Sequence, residues 1–126
     1  MVVPWAPQEE VLRHGAVGGF WTHCSWNSTT ESICEGVSML CRPCFGDQMG
    51  NTRRYVEHVW KVDLEVRGEL ERGSVVAAIH RLMSDKDGAK MRARAGELKK
   101  TAVDCTRKAG SSRMDTDKLV THIMLL

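Results

Sequence analysis

The fold of this chain is constrained most by apolar runs that alternate with helix-like segments. Val17 to Thr22 is a short apolar run with two glycines, which is typical of a buried strand. A helix-like segment follows and ends before Gly36, and Val37 to Leu40 is predicted to be a second strand. A helix over residues 48–60 and a strand over Val62 to Val66 continue the alternation. This order predicts an α/β fold with a short parallel sheet and flanking helices.

The rest of the chain predicts helices. Residues 8–14 form a short helix-like segment ended by Gly15. Two apolar stripes at helical spacing predict two further helices: one stripe is Val75, Ala78, Ile79 and Leu82, and the other is Met91, Ala95, Leu98, Ala102 and Cys105. Gly110-Ser111-Ser112 is expected to break the second of these helices, and a last helix is expected over Asp115 to Leu125.

Size, charge and composition argue against several classes of protein and of binding partner. A chain of 126 residues is one domain or part of one. The net charge of +2, with both signs interspersed, favours neither nucleic acid nor an anionic membrane as a partner. No apolar run of about 18 residues would span a bilayer, and the first residues lack the pattern of a secretory signal. Five cysteines without regular spacing fit reduced thiols and a cytoplasmic protein.

A polar group lies where the first predicted strand meets the next helix. It comprises His23, Trp26, Asn27 and Ser28. Unpaired N–H groups at a helix start attract anions, and these side chains can add hydrogen bonds to phosphate oxygens. The alternative is that Asn27 or Ser28 is only the helix N-cap.

Two other features suit ligand binding. Trp5 lies between Pro4 and Pro7, so a stiff segment holds an indole on which a base can stack, unless Trp5 is a core residue. Asp47 and Gln48 can accept and donate hydrogen bonds to sugar hydroxyls, although such pairs are more often solvated. Cys41 and Cys44 form a CxxC pair, which leaves a thiol redox role as a remote alternative.

The whole block from Trp5 to Gln48 resembles the C-terminal signature of plant family 1 UDP-glycosyltransferases. The stretches VEHVWKV, EVRGELERG and MRARAGELKK are similar to grass enzymes of the benzoxazinoid type. The resemblance implies a partial Rossmann-like C-terminal domain of a GT-B fold. It also implies inverting transfer of a sugar from UDP to a small acceptor, without a metal or other cofactor, since the UDP-sugar is a co-substrate.

The resemblance also assigns roles to ten residues. It implies that Trp5 stacks on uracil, that the backbone of Ala6 reads the uracil edge, and that Gln8 and Glu31 bind the ribose hydroxyls. It places His23, Trp26, Asn27 and Ser28 at the diphosphate, and Asp47 and Gln48 at the sugar. Gln48 is associated with glucose, which makes UDP-glucose the expected donor.

The expected organisation is one partial UDP-sugar-binding domain over residues 1–126, with the signature block at 5–48 and C-terminal helices at 72–126. The N-terminal acceptor domain, which holds the family's histidine base, is expected to be absent, so a small-molecule acceptor would bind only if that domain is supplied. The chain alone is then expected to be inactive. The alternative is a non-catalytic product of a truncated or decaying gene that binds UDP weakly or pairs with a full-length relative.

Three departures from the family pattern support that alternative. Ser25 stands where glycine is usual, and Ser38 stands where proline is usual. A serine at position 25 is expected to strain the backbone if φ is positive there. The stretch around Arg53-Arg54 is one residue longer than in similar sequences.

Overall fold

The computed structural model of the chain describes residues 2–126, apart from the side chains of residues 51–53. In chain order the elements are α1 (Gln8–Arg13), β1 (Phe20–Thr22), α2 (Trp26–Glu35), β2 (Met39–Cys41), α3 (Asp47–Gly50), α4 (Asn51–Trp60), β3 (Asp63–Glu65), α5 (Arg72–Ser84), α6 (Lys86–Thr106) and α7 (Ser111–Met124). The α/β prediction is therefore confirmed, although each strand is shorter than predicted.

The described strands form one parallel sheet in the order β1-β2-β3. Phe20 pairs with Met39, and Leu40 pairs with Leu64. The central strand β2 is buried along its whole length. Because parallel strands end at the same edge, the turn after β1 and the loop after β2 lie side by side at the carboxyl ends of the strands, where ligands bind in open α/β sheets.

A hydrophobic core covers each face of the sheet. The first is built on Met39 and Cys41, with Val56 from α4 and Ala95 from α6. The second contains Leu40, Leu64 and Leu82, the last from α5. The predicted stripe on α6 is confirmed as a packing face, whereas Ile79 of the predicted α5 stripe is exposed.

The two ends of α2 were predicted with different success. Gly36 lies just past the helix with φ +70°, as expected of a glycine C-cap. The predicted N-cap was wrong: the cap is Ser25, whose hydroxyl accepts a hydrogen bond from the Ser28 amide, so Asn27 and Ser28 lie inside the helix. The physical reason is that Ser25 itself is extended, with φ −60° and ψ 152°, and the backbone becomes helical only from Trp26 onwards.

The predicted helix over residues 48–60 is divided in two. Residues of α3 are α-helical, whereas α4 winds as a π-helix. A π-helix holds more residues per turn than an α-helix, so a segment one residue longer can remain helical without a loop. The expected apolar face of this segment is only partly buried, because Val56 is enclosed while Tyr55 and Val59 are exposed.

The break before the last helix also lies earlier than predicted. Helix α6 ends at Thr106, and Gly110 is the N-cap of α7, so Ser111 and Ser112 belong to the helix. A side chain at position 110 would collide with the carbonyl oxygens of Asp104 and Cys105, which explains why the tight turn contains glycine there.

Candidate functional site

Trp5 lies outside the core. The residue is 85% exposed and lies in an irregular segment that leads into α1. It lines a cleft of about 870 Å³, together with Ala6, Gln8 and Glu31 from the predicted site and apolar residues that include Val17 and Phe20. The exposed indole is therefore available for stacking, and the core interpretation of Trp5 is wrong.

Three of the predicted residues meet through hydrogen bonds beside this cleft. The Gln8 side-chain amide donates to the Glu31 carboxylate at 2.6 Å and to the Ser28 hydroxyl at 3.2 Å. Gln8 begins α1, whereas Ser28 and Glu31 lie on successive turns of α2. The Gln8–Ser28 contact links a residue expected at the ribose, Gln8, to a residue expected at the diphosphate, Ser28.

The far ends of the same two helices are also joined. Arg13 of α1 donates to Glu35 of α2 at 2.8 Å, and Lys99 of α6 approaches the same carboxylate at 3.3 Å. The hydrogen bond from Arg13 is the largest influence that lowers the pKa of the Glu35 carboxyl. The two helices are thus tied at both ends, which sets the orientation of Gln8 relative to Glu31.

The turn before α2 is shaped by Cys24. Its φ is +66°, whereas Ser25 has φ −60° in the extended region. The left-handed residue is therefore Cys24, and the strain expected at Ser25 does not arise. The Cys24 amide donates to the Thr22 hydroxyl at 3.0 Å, which holds the turn below the helix start.

The side chains around the start of α2 differ in exposure. His23 and Asn27 are exposed, and Ser28 is buried with its hydroxyl bonded to Gln8. The first N–H groups of a helix have no partner within the helix. Those that the cap residue does not satisfy can bind an anion. His23 and Asn27 can add donors at the same place.

Trp26 belongs to an aromatic cluster that the sequence pattern did not reveal. Its ring lies 5.9 Å from that of Tyr55 and 6.3 Å from that of Trp60, measured between centroids. Tyr55 and Trp60 are both on α4, and the only sequence signal for them was the apolar face predicted for that helix. The cluster packs the start of α2 against α4.

Asp47 and Gln48 occupy different environments. Asp47 is exposed at the start of α3, whereas Gln48 is only 7% exposed. The Gln48 side-chain oxygen accepts from the backbone N–H groups of Cys44 at 2.9 Å and Phe45 at 3.3 Å. This oxygen therefore holds the loop after β2 in place, a role that the sequence did not predict.

The predicted site residues are thus grouped in two regions. Trp5, Ala6, Gln8 and Glu31 line the cleft. The remaining six are not among its lining residues and lie at the turn after β1, along α2 and at the start of α3: His23, Trp26, Asn27, Ser28, Asp47 and Gln48.

The CxxC pair does not have the environment of a redox thiol. Cys41 is fully buried, whereas Cys44 is exposed. A hydrogen bond with Cys24, followed by burial, raises the pKa of the Cys41 thiol, although a reactive thiol needs a lowered one. The geometry therefore argues against the thiol alternative.

Ser38 lies at the entry to β2 and is also buried. Its backbone carbonyl accepts from the Phe20 amide at 3.0 Å, which extends the pairing of the two strands. Its hydroxyl has no hydrogen-bond partner among the described residues. An unpaired buried hydroxyl is unfavourable, so the Ser38 side chain does not stabilise the entry to this strand.

Leaving aside the side chains at 51–53, no group of three or more His, Cys, Asp or Glu residues is arranged to hold a metal ion. None of the helices within residues 2–126 combines the length and apolar character needed to cross a membrane.

Comparison with known proteins reveals close similarity. The model of the family described as UDP-glucoronosyl and UDP-glucosyl transferase matches residues 1–98. The chain is 50% identical to UDP-glycosyltransferase 76E1 and 52% identical to flavonol 3-O-glucosyltransferase UGT76E12, both from Arabidopsis thaliana and both over 125 residues. These alignments cover 99% of this chain and 27% of each relative, so the chain spans about a quarter of their length.

Solved structures agree with this similarity. A UDP-glucose:anthocyanidin 3-O-glucosyltransferase in complex with UDP matches with a TM-score of 0.91 and 38% identity, over 98% of this chain and 28% of that one. Phytolacca americana UGT2, complexed with UDP-2fluoro-glucose and pterostilbene, matches with a TM-score of 0.88 and 34% identity, over 94% of this chain and 28% of that one. The predicted architecture, part of a GT-B fold with a short parallel sheet, is confirmed.

Proposed function

The chain belongs to the UDP-glucoronosyl and UDP-glucosyl transferase family, and on that premise we propose that it is the UDP-sugar-binding part of a plant glycosyltransferase. UDP-glucose is the proposed donor. The proposed reaction is inverting transfer of glucose to a hydroxyl of a small metabolite. Residues 1–126 are proposed to form one partial domain, with the signature block at 5–48 and the C-terminal helices at 72–126.

The observation that carries this proposal is the convergence of Gln8, Ser28 and Glu31 beside the cleft that Trp5 lines. A carboxylate and an amide in contact can accept and donate to the two neighbouring hydroxyls of a ribose. The exposed indole of Trp5, which lines the same cleft, offers a flat apolar surface to a base. A nucleoside carries both parts, a flat base and a ribose with two neighbouring hydroxyls.

The diphosphate would lie at the start of α2. The N–H groups of the first turn and the helix dipole favour negative charge there. Asn27 and His23 are exposed beside this turn and can donate to phosphate oxygens. When the sugar leaves, negative charge develops on the diphosphate, so fixed donors at this position would stabilise the transition state.

The sugar would lie beyond the diphosphate, near the start of α3. Asp47 is exposed and can accept hydrogen bonds from sugar hydroxyls. Gln48 holds the adjacent loop through its side-chain oxygen, and it is proposed to reach the sugar through its amide group. The UDP and UDP-2fluoro-glucose in the related solved complexes support a UDP-sugar as the ligand class.

Residues 1–126, as an isolated polypeptide, are proposed to bind the donor without catalysing transfer. The family resemblance places the histidine base and the acceptor pocket in an N-terminal domain, and this chain spans 27% of its curated relatives. Without a base and an oriented acceptor, most of the rate enhancement would be lost. Pairing with a full-length relative remains the alternative prediction for a chain that folds and does not bind UDP.

The test is calorimetric titration of the purified chain with UDP. We expect saturable binding to the wild type, none detectable for Trp5→Ala, and unchanged binding for Leu119→Ala, which removes an exposed apolar side chain on α7. ADP should bind more weakly than UDP, because the uracil edge is read by the backbone at Ala6. Equal affinity of the wild type and Trp5→Ala for UDP would refute the proposed site.

A further inference from the structure

A buried carboxyl group lies outside the set of candidate site residues. Asp63 is the first residue of β3 and only 6% exposed. Its register partner is Met39, so it lies on the face of the sheet that carries the first core. Neither of its carboxyl oxygens has a hydrogen-bond partner among the described residues. A charged carboxylate in such a place is strongly unfavourable, whereas the neutral acid is tolerated.

Some groups around Asp63 raise the pKa of its carboxyl and others lower it. Burial is the largest influence and raises the pKa of its carboxyl to about 7. The thiol of Cys41 on β2 lies near enough to oppose this rise without completing a hydrogen bond, and Arg67 also opposes it. Glu57 on α4 and Glu65 on β3 add negative charge and raise the pKa further. Asp63 therefore changes its charge close to neutral pH.

Two further cationic residues line the same cleft as Asp63. They are Lys61, which follows α4, and Arg81 of α5. Both α4 and α5 pack beside β3, so the cleft contains positive as well as negative charge.

Asp63 is connected to both loops of the site through two buried thiols. Cys41 ends β2 and begins the loop that leads to Asp47. Cys24 shares the first core with Cys41, interacts with its thiol and directly precedes Ser25, the cap of α2. A charge at Asp63 would thus be introduced beside the residues that support the diphosphate turn and the sugar loop.

We propose that Asp63 is a proton-controlled support of the donor site, compatible with the packed core as a neutral acid and disruptive once ionised. Loss of its proton would draw water or a cation towards β3 and loosen the contact between β3, Cys41 and the two loops. The effect on ligand binding rests on the proposed function, whereas the effect on folding does not.

The expected change of stability with pH follows from the linkage between proton binding and folding. The folded chain holds the Asp63 proton more tightly than the unfolded chain, in which an aspartate has an ordinary pKa of about 3.9. Stability is therefore highest below the unfolded pKa, falls as pH rises through the window from about 4 to about 7, and is level above it. Between about pH 5 and about pH 8 the folding equilibrium constant should fall roughly a hundredfold through this one group.

The first measurement is urea unfolding across that pH range. Asp63→Asn should remove this fall, while Asp104→Asn, which neutralises an exposed aspartate on α6, should keep it. Retention of the wild-type slope in Asp63→Asn would overturn the proposal. If Asp63→Asn does not fold, the carboxyl carbon resonance of Asp63 in the wild type decides: a midpoint near 7 supports the proposal, and one in the ordinary aspartate range overturns it.

The second measurement is UDP titration near pH 6 and pH 8. UDP itself changes charge in this range, so the wild type is compared with Asp63→Asn at each pH. A larger loss of affinity in the wild type supports coupling to the site, and an equal change in both proteins overturns it. If UDP does not bind to the wild type at all, the proposed function fails, and the urea and resonance measurements still decide the state of Asp63.

Discussion

The side-chain amide of Gln8 donates a hydrogen bond of 2.6 Å to the carboxylate of Glu31, across the interface between α1 and α2. The same amide also reaches the Ser28 hydroxyl at 3.2 Å. The contact orients the carboxylate before any ligand arrives. Pre-orientation of this kind lowers the conformational entropy lost on binding.

The first prediction concerns Glu31→Gln. We expect UDP affinity to fall roughly tenfold, since hydrogen bonds to charged groups contribute about 1.5–3 kcal/mol and part of that is retained by the amide. Calorimetric titration with UDP measures the change. A UDP analogue that lacks both ribose hydroxyls should bind equally to the wild type and the variant, and an equal loss with this analogue would show that Glu31 does not act through the ribose.

The second prediction concerns the cap of α2. Ser25→Ala should destabilise the chain by about 1 kcal/mol, because the Ser28 amide loses its acceptor. Ser25→Gly should cost only a few tenths of a kcal/mol, since glycine is tolerated at N-caps. Urea unfolding measures both variants. Because φ at Ser25 is −60°, glycine should bring no relief of strain, and a stabilised Ser25→Gly would contradict the structure.

The third prediction compares two glycines of α6. A side chain at position 88 would collide with the carbonyl oxygens of Leu82 and Arg81, whereas one at position 96 meets nothing within 4 Å. Gly88→Ala should therefore destabilise the chain by about 1–3 kcal/mol, as overpacking does. Gly96→Ala should stabilise it by about 0.5–1 kcal/mol through better helix propensity. Equal effects in thermal unfolding would show that α5 and α6 do not meet closely at Gly88.

The fourth prediction concerns Glu35. The hydrogen bond from Arg13 is the largest cause of the lowered pKa of its carboxyl. A depressed carboxyl pKa contributes stability above the unfolded pKa, and this contribution is lost as pH falls through the lower, folded value. Since Arg13 is largely exposed, Glu35→Gln should cost at most about 1 kcal/mol near neutral pH. The difference from the wild type should vanish in acid.

Unfolding of Glu35→Gln at neutral and acid pH, with and without added salt, measures this contribution. Glu69→Gln replaces an exposed carboxylate between β3 and α5 and serves as the control. A difference between Glu35→Gln and the wild type that persists in acid would indicate lost packing and not a lost ion pair.

The order of the elements followed from local patterns. An apolar run over residues 17–22 and short segments over 37–40 and 62–66 predicted strands at the right places, and Gly36 marked the end of α2 correctly. Strand lengths were overestimated, because residues such as Val17 and Val62 are apolar without belonging to a strand. Apolar residues indicate burial, and the buried segment is longer than the part that pairs with a neighbouring strand.

The cap of α2 could not be chosen from the local sequence. Ser25, Asn27 and Ser28 are all residue types that cap helices well, and they lie within one turn of each other. The choice depends on where the extended backbone ends, and that follows from the left-handed conformation of Cys24 and its contact with Thr22. A backbone angle at a neighbouring residue thus decided which side chain became the cap.

The candidate site was likewise determined partly by the sequence and partly by the tertiary structure. Its residue types and their order along the chain, and the family to which they belong, were determined by the sequence alone, because short-range patterns and a long motif are written in consecutive residues. The tertiary structure decided that Gln8 contacts Glu31, that Trp26 packs with Tyr55 and Trp60, and that the Asp63 carboxyl is buried with no hydrogen-bond partner in the described part of the chain. These relationships join residues on different elements, and they depend on how helices and strands pack, which no local pattern records.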